Sequence, residues 1–319
     1  MKQACILCIL ACLLSQTFNA RAVQGGAGHY VSGQMGDFSG MPPTQSGFYF
    51  GNYVMGYDHG TFSGSKELPL GGVFAAGVTA DLLAEVPLII YAYPFSLQDI
   101  TFSSGVGIPF VWADVKAAAT FDRNRIQLST GNKQSVSGLG DIQLMPIMAT
   151  WTNGDFKVGG LFNIWAPSGD YKSGQLANPG LGYWTFEPML AFSWLSSKIG
   201  TEFSAFAGVD FNTKNDTIDY QSGDIFHVDA TLAQHLPLLG GFVGAGATAF
   251  YLKQISGDNG SGARLGSFEA ESYGVGPTVS YVHPIGKSTL VVDGSWLPQL
   301  HSDNTTKGNY WWVKLTLAF

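Results

Sequence analysis

The chain alternates apolar and polar residues over segments of ten or more residues, and turn residues separate the segments. In one of them, Phe226 and Val228 oppose His227 and Asp229. Side chains repeat every two residues in a strand and every 3.6 in a helix, so this pattern predicts strands. Twelve such segments lie at approximately 47–58, 80–93, 101–121, 140–151, 155–166, 184–195, 200–212, 224–235, 241–253, 268–283, 288–298 and 309–319.

Two segments fit the alternation least well. Pro87 interrupts residues 80–93, and Pro109 interrupts residues 101–121. In another segment, Phe206 is apolar but falls on the face that is otherwise polar or glycine. At these positions the pattern alone does not fix which side chains face inwards.

The connections between segments alternate in length. A soluble β-sandwich would also show alternating strands, but its strands usually have five or six residues. Long strands, an even strand count, and short turns opposite long loops are typical of a transmembrane barrel with both termini in the periplasm. The short turns are Thr152-Asn153-Gly154, Ser196-Ser197-Lys198 and Pro284-Ile285-Gly286, and the long connections are 167–183, 213–223 and 254–267.

The composition indicates that these strands lie in a membrane. Charged residues make up only 12% of the chain, aromatic residues reach 13%, and there are 42 glycines. Beyond the N-terminus, no apolar stretch approaches the ~18 residues of a transmembrane helix. Because only helices and closed barrels satisfy every backbone group in lipid, residues 47–319 are predicted to be an all-β, antiparallel transmembrane barrel of about 12 strands.

The N-terminus has the layout of a secretory signal peptide, predicted as residues 1–22. Lys2 precedes an apolar stretch, and Ala20-Arg21-Ala22 or Phe18-Asn19-Ala20 offers a cleavage site. A lipoprotein signal ending at Cys12 is the alternative. Residues 23–46 are then a polar lead, which we expect to tuck into the lumen as a small plug because a lumen of this width exceeds what its own side chains fill.

The mature chain is acidic and has no cysteine. All three cysteines precede residue 22, so disulfides and thiolate chemistry are excluded. Without Lys2 and Arg21, the 16 basic residues become 14 against 23 acidic ones, a net charge of −9. This balance excludes a basic patch for nucleic acid. We expect no cofactor.

The C-terminal strand ends on an aromatic residue. A terminal aromatic that closes an alternating strand is similar to the signal read by the outer-membrane insertion machinery. The residues that carry this signal are Trp311, Val313, Leu315, Leu317 and Phe319. Trp184, Trp194, Trp296, Tyr310 and Trp311 are suited to aromatic girdles at the membrane interfaces.

Several motifs resemble the outer-membrane transporter family named for the meta-pathway of phenol degradation. They run over nearly the whole mature chain. They are Gly28-His29-Tyr30-Val31-Ser32-Gly33, Gly138-Leu139-Gly140-Asp141-Ile142 with Pro146, Ala166-Pro167-Ser168-Gly169-Asp170-Tyr171, Leu176-Ala177-Asn178-Pro179-Gly180, Tyr183-Trp184-Thr185-Phe186-Glu187-Pro188, Phe211-Asn212-Thr213-Lys214-Asn215, Asp219-Tyr220-Gln221-Ser222-Gly223-Asp224, Gly257-Asp258-Asn259-Gly260-Ser261-Gly262-Ala263 and Gly276-Pro277.

The resemblance implies a barrel in the outer membrane of a Gram-negative bacterium and uptake of aromatic or other hydrophobic compounds. The chain departs from the family where relatives tend to carry basic residues. Glu269 follows Phe268, and Asn304-Thr305-Thr306 precedes Lys307-Gly308. A basic contact to an anionic solute is therefore doubtful.

Motifs for other chemistry are weak. Residues 244–249 match a loose dinucleotide fingerprint but lack a following helix.

His227 and Asp229 could pair as base and orienter in a lipid hydrolase, yet the alternation places them in the lumen and no Gly-x-Ser-x-Gly elbow occurs. The histidine spacing supports no metal site. One outer loop is rich in oxygen ligands that could hold Ca²⁺, although a solvated loop or loop-to-loop hydrogen bonding is favoured. These residues are Asn212, Asn215, Asp216, Asp219 and Asp224.

The sequence thus predicts a channel, not an enzyme, for passive uptake of small hydrophobic or aromatic solutes. A lipid hydrolase and a non-conducting structural barrel are the alternatives. Trp184 and Phe186 could form an aromatic entrance or belong to a girdle. The acidic excess in the lumen disfavours anions. The expected lumen or substrate residues are Trp184, Phe186, Glu187, Glu202, Asp210, Asn212, His227, Asp229, Asp293 and Lys314.

Overall fold

The fold is almost entirely sheet. Among the residues that the structure describes, one 3₁₀ turn, Phe38–Gly40, precedes the strands. No helix within the described ranges is long and apolar enough to cross a membrane. The predicted signal peptide lies outside the described residues. The structure is a computed structural model that describes residues 28–62, 67–70, 72–122, 127–265 and 269–319.

Antiparallel strands follow one another along the chain. Short strand β2 pairs with β3, and short strands β11 and β12 pair with each other in a loop. The strands are β1 (Gly47–Phe62), β2 (Leu68–Leu70), β3 (Val73–Leu97), β4 (Ile100–Gly107), β5 (Phe110–Asp122), β6 (Gln127–Leu139), β7 (Ile142–Asn153), β8 (Phe156–Ala166), β9 (Thr185–Leu195), β10 (Thr201–Asn212), β11 (Lys214–Asn215), β12 (Tyr220–Gln221), β13 (Ile225–Leu238), β14 (Gly241–Gln254), β15 (Glu271–Ile285), β16 (Ser288–Asp303) and β17 (Lys307–Ala318).

The long strands close into a ring. Strands β4 and β5 follow each other as one interrupted wall strand, and so do β6 and β7, since β4 pairs with β7 and β5 with β6. Strand β1 closes the ring, because Val54 lies opposite Val313 of β17 on one side and Glu85 of β3 on the other. Counted in this way, the described residues form a closed antiparallel barrel of 12 strands, which confirms the predicted fold.

The two prolines that disturbed the sequence pattern lie where the ladder changes partner. Strand β3 pairs first with β5 and then with β4, and Pro87 lies between the two pairings. The Pro87 carbonyl accepts from Ile108 N (3.0 Å), and the Pro109 carbonyl accepts from Gly140 N (2.8 Å). Proline has no N–H for the ladder but keeps its carbonyl, so the interruption loses few hydrogen bonds.

Turn length differs between the two ends of the barrel, as predicted. The β13–β14 turn contains Leu239 (φ 55°) and Gly240 (φ 76°), both in the left-handed region. Two successive residues with positive φ form the tight hairpin turn whose twist matches that of paired strands. The long connections 167–184, 213–224 and 255–270 lie at the opposite end.

The alternation places the expected side chains on each face in the second half of the chain. In β13, His227 and Asp229 are completely buried, whereas Leu232 is 61% exposed on the outer face. Phe206, the exception in its segment, faces inwards and packs with Met148 and Met189.

Strand β3 has an apolar inner face, opposite to the polar inner face of β13, and its outer face is mixed. Its inward side chains, among them Val78 and Leu88, are apolar and buried. Its outer face carries Asp81, which accepts from the His59 N–H, and Glu85, which accepts from an Asn52 side chain (2.9 Å). Sequence alternation alone could not reveal this inversion, because it reports the period and not the direction.

We predict that Leu190→Arg lowers the free energy of unfolding by about 2–4 kcal/mol, the typical cost of a cation at the middle of the lipid-facing surface. Leu190 is 71% exposed at the centre of β9, between the outward aromatic rings of Phe186 and Trp194. Urea titration in phospholipid vesicles, followed by tryptophan fluorescence, measures the change. Ser197→Arg, in an exposed turn, is the control. Equal stability of both variants would show that Leu190 does not face lipid.

Candidate functional site: the barrel lumen

The lumen has one polar wall and one apolar wall. Strands β9, β10, β13, β16 and β17 supply the buried carboxylate, histidine and lysine side chains of the wall, and β3 and β5 supply mainly apolar ones. Residues 28–41 lie inside the barrel and contact the polar wall through the hydrogen bonds described next. This geometry leaves a cavity of about 580 Å³ between residues 28–45 and the apolar wall.

Asp229 is the first attachment point for the N-terminal segment. Its Oδ1 accepts from the Tyr30 hydroxyl (2.5 Å) and from Gly33 N (3.0 Å), and its Oδ2 accepts from Met35 N (3.3 Å). Gly33 has φ +83°, and a Cβ there would lie 2.2 Å from Leu297 Cδ1. A segment without regular structure needs such acceptors for its buried N–H groups, so the Asp229 carboxylate holds this part of the segment in place.

Glu202 is the second attachment point. Its Oε1 accepts from Phe38 N (2.7 Å) and from the Ser204 hydroxyl (2.7 Å). Its Oε2 lies 2.7 Å from His235 Nε2. Both oxygens of this buried carboxylate are thus engaged.

Lys314 is the only lysine or arginine buried in the described part of the chain. Its Nζ lies 3.5 Å from Asp293 Oδ1. The other oxygen of Asp293 accepts from the Ser39 hydroxyl (3.0 Å). The same hydroxyl lies 2.6 Å from Asp37 Oδ1, which also accepts from Ser39 N (2.9 Å). This group is the third attachment of the N-terminal segment.

His29 connects the same segment to the outer loops. Its Nε2 lies 2.9 Å from Asp141 Oδ2, and its Nδ1 lies 2.7 Å from the Thr185 hydroxyl. Asp141 also accepts from Gly169 N (2.9 Å) and Leu181 N (2.7 Å) of the loop between β8 and β9. Asp141 therefore fixes the N-terminal segment and this loop together.

A fully buried group of three titratable side chains lies beneath Tyr30. His227 Nε2 is 3.0 Å from Glu187 Oε1 and 3.5 Å from Asp210 Oδ1. The Tyr30 ring stacks on the His227 ring with centroids 3.6 Å apart and planes 13° from parallel. The arrangement brings two carboxylates and one imidazole together away from solvent.

The apolar side of the cavity is rich in methionine. Leu88, Ile90 and Leu161 also line it. All six methionines of the described residues lie on the lumen side, five of them lining the cavity and the sixth packed behind it. They are Met35, Met41, Met55, Met145, Met148 and Met189.

Eight of the ten expected lumen residues lie on the inner face. Their side chains are almost completely inaccessible to solvent, because most of them contact the N-terminal segment or one another. These residues are Glu187, Glu202, Asp210, Asn212, His227, Asp229, Asp293 and Lys314.

Trp184 and Phe186 do not line the lumen. Trp184 is 43% exposed and Phe186 36% exposed, and their rings stack on the outer face. Their neighbours Thr185 and Glu187 face inwards, so alternation directs the two aromatic rings outwards. The expectation of an aromatic entrance is wrong for this pair, and the position fits the girdle alternative.

The C-terminal residues of the predicted insertion signal face outwards. Val313, Leu315 and Phe319 are 49%, 43% and 59% exposed. Trp311 is on the same face and donates from Nε1 to Asp58 Oδ2 (2.9 Å). Trp312 and Lys314 alternate with them and are buried in the lumen.

Sequence reasoning missed the partners that the polar wall has in the N-terminal segment. His29, Tyr30 and Ser39 reach strands more than a hundred residues away. The signal that could have found them is the motif of residues 28–33, which places a histidine and a tyrosine between glycines in a polar lead.

The outer loops hydrogen-bond to one another. Asn215 donates to Leu181 O (3.0 Å), and Asp219 accepts from Ser261 N (2.9 Å). The bond from Ser261 and the nearby Lys214 ammonium hold the pKa of Asp219 below its usual range. The loops therefore form one connected layer over the barrel.

A family model described as the putative MetA-pathway of phenol degradation matches residues 58–315. The chain belongs to this family. No curated protein matches the chain.

Solved structures share the fold. The COG4313 outer membrane channel from Pseudomonas putida F1 is 12% identical, with a TM-score of 0.62, and the match covers 87% of this chain and 97% of that one. The beta domain of the Bordetella autotransporter Brka is 11% identical, with a TM-score of 0.48 and coverage of 86% and 100%. At 12% identity, the likeness to the Pseudomonas putida structure shows the fold alone, which is that of an outer-membrane β-barrel.

We predict that raising the pH from about 4 to about 8 loosens the loop layer through Asp258. Burial raises the pKa of Asp258 to about 8, although Gly223 N (3.0 Å) donates to its Oδ1. The unfolded chain releases this proton near pH 3.9, so in this window the folded loops bind more protons and lose stability as the pH rises.

Amide exchange of loop 255–265, corrected for intrinsic rates, measures this effect. Asp258→Asn should remove the pH dependence, because the amide is always neutral. Asp216→Asn, whose carboxylate is 88% exposed, should retain it. An unchanged pH profile in Asp258→Asn would contradict the assignment.

Proposed function

We propose that the protein is an outer-membrane channel through which small apolar or aromatic solutes enter the cell by passive diffusion. The solute moves down its gradient, and no chemical step is required of the lumen residues. The family and the fold support a channel-like barrel, and the class of solute is inferred from the cavity.

The cavity carries this proposal because its lining reaches both ends of the barrel. Leu176 and Thr306 line it at the end of the long loops. Gln45 and Ala318 line it near the termini and the short turns. A cavity that extends to both ends of the barrel suits passage of a solute better than its storage.

The lining favours apolar over hydrophilic solutes. Burial of apolar surface is worth about 25 cal/mol per Å², whereas a polar solute would lose hydrogen bonds to water that Leu88, Ile90 or Met148 cannot replace. Methionine is flexible, and its thioether contacts aromatic rings favourably. Five thioether side chains on one cavity therefore suit ring-shaped solutes of varied outline.

The charge of the lumen disfavours anions. Buried carboxylates outnumber Lys314, the single buried lysine or arginine among the described residues. Most of these carboxylates do not line the cavity, so they oppose an anion there through their field and not by contact.

The hydrolase alternative has weaker support. His227 Nε2 contacts two carboxylates, and Asp229 is engaged by the N-terminal segment. Among the described residues, neither His227 nor Asp229 is hydrogen-bonded to a serine hydroxyl. A serine-reactive probe that labels the folded protein would favour the hydrolase, and the absence of any solute flux in vesicles would favour a structural barrel.

We predict that Ala84→Trp lowers the influx of a small aromatic solute severalfold. Ala84 lines the cavity and is buried, so an indole there would occupy part of the route. Its neighbour Leu83 is 39% exposed on the outer face, and Leu83→Trp is the matched control, since lipid accommodates the ring. Influx of toluene into vesicles whose outer leaflet is lipopolysaccharide, which slows apolar solutes, measures the rate for each variant. Equal rates in Ala84→Trp and the unaltered protein would refute a route through this cavity.

We propose that residues 28–46 act as a plug that limits ion flow. Asp229→Asn should raise single-channel conductance severalfold in planar bilayers, because it weakens charge-assisted hydrogen bonds worth about 1.5–3 kcal/mol each and loosens the segment. Asp216→Asn, in the exposed loop, should leave conductance unchanged. Removal of residues 23–40 should give a still larger conductance. If this deletion left conductance unchanged, the segment would not be a plug.

We further propose that the outward residues of β17 that end at Phe319 are read by the outer-membrane insertion machinery. Their exposure on the outer face is compatible with recognition before the ring closes.

A further inference from the structure

Three strands bring one nitrogen and two oxygens together at ligand spacing. Glu187 of β9, Asp210 of β10 and His227 of β13 each offer one atom, and these atoms lie within 4.8 Å of one another. The nitrogen–oxygen separations are 3.0 and 3.5 Å. Two ligands at about 2.0–2.1 Å from a tetrahedral zinc ion lie about 3.3 Å apart, so the observed separations bracket the required one.

The charge at this place needs compensation. The three side chains are at most 3% exposed. Buried carboxylates are unfavourable unless they are paired with an equal positive charge. A protonated His227 would balance only one of the two carboxylates, whereas a divalent cation with a neutral imidazole balances both. Lys314 is already engaged by Asp293.

Several atoms of the cluster lack a hydrogen bond. Among the described residues, buried polar atoms without such a partner include both carboxylate oxygens of Asp210 and both ring nitrogens of His227. The His227 contacts are close in distance but are not hydrogen bonds. Most buried polar atoms in proteins do have partners, so an unpartnered group aimed at two other ligands points to a bound ion.

Glu187 is oriented by neighbours that leave one oxygen for the centre. Its Oε2 accepts from Asn163 Nδ2 (2.8 Å) and lies 3.5 Å from Trp165 Nε1. Its Oε1 is the atom nearest His227. Outer hydrogen bonds that fix one oxygen of a carboxylate and direct the other inwards are typical of metal ligands.

We propose that Glu187, Asp210 and His227 bind a divalent transition-metal ion, with Zn²⁺ the best fit to one imidazole and two carboxylates. The ion joins three adjacent strands of the polar wall. Because the Tyr30 ring covers His227, the ion enters before residues 28–33 are seated and exchanges slowly afterwards. Histidine spacing in the sequence could not show this site, since each ligand lies on a different strand.

Refolding with metal tests the proposal. The mature protein is refolded in detergent with Zn²⁺, washed with a chelator and analysed by mass spectrometry of the metal. We expect about one tightly held Zn²⁺ per chain, as for a preformed site closed from solvent. Asp210→Asn and His227→Gln should lose most of it. His235→Gln is the matched control, because His235 is also buried beside a carboxylate, Glu202, but has a single hydrogen-bonded partner. Heat-modifiable gel migration verifies that each variant is folded.

Cobalt gives a readout that does not depend on the variants. Wild-type protein refolded with Co²⁺ should show visible absorption bands of a low-symmetry site with nitrogen and oxygen ligands. Folded wild-type protein that retains neither Zn²⁺ nor these bands overturns the proposal. Zn²⁺ retained in full by folded Asp210→Asn and His227→Gln overturns it as well.

Discussion

The ring of backbone hydrogen bonds is the constraint on which the other features depend. Hydrocarbon offers no partner to an N–H or a carbonyl, so each wall strand must find its partners in its neighbours. Strand β1 meets this condition by pairing with both β17 and β3. The two prolines also meet this condition. Pro87 and Pro109 lie where β3 changes partner, and their carbonyls still accept backbone hydrogen bonds. Once the ring is closed, strand geometry directs alternate side chains towards lipid and towards the lumen.

The same requirement acts on the inside of the barrel. Residues 28–41 form no ladder, yet several of their N–H groups are buried. Asp229 and Glu202 accept from them, and the wall carboxylates thereby take the place of a neighbouring strand. This explains why so many carboxylates lie in a confined lumen, and why the opposite wall, which the segment does not touch in this way, can be apolar.

Much of this could be predicted from the sequence, because alternation is a local property. The count of twelve strands, the inward direction of His227 and Asp229, and the difference between short turns and long loops follow from it. Strand β6 and the first residues of β3 lay outside the predicted segments. The direction of Trp184 and Phe186 did not, since two readings of the same period place them on opposite faces. The contacts of His29 and Tyr30 with distant strands depend on closure of the ring and leave no periodic trace. The apolar inner face of β3 was hidden because a polar lumen is the usual assumption for alternating strands.

The position of the methionines links the lumen to oxidative chemistry. All six methionines of the described residues lie on the inner side, so an oxidant that enters the cavity meets thioethers on its lining. Each sulfoxide would place a polar, chiral group on a surface that is otherwise apolar. Oxidation would thus make the cavity more hydrophilic without breaking any backbone hydrogen bond, and enzymatic reduction of methionine sulfoxide would reverse the change.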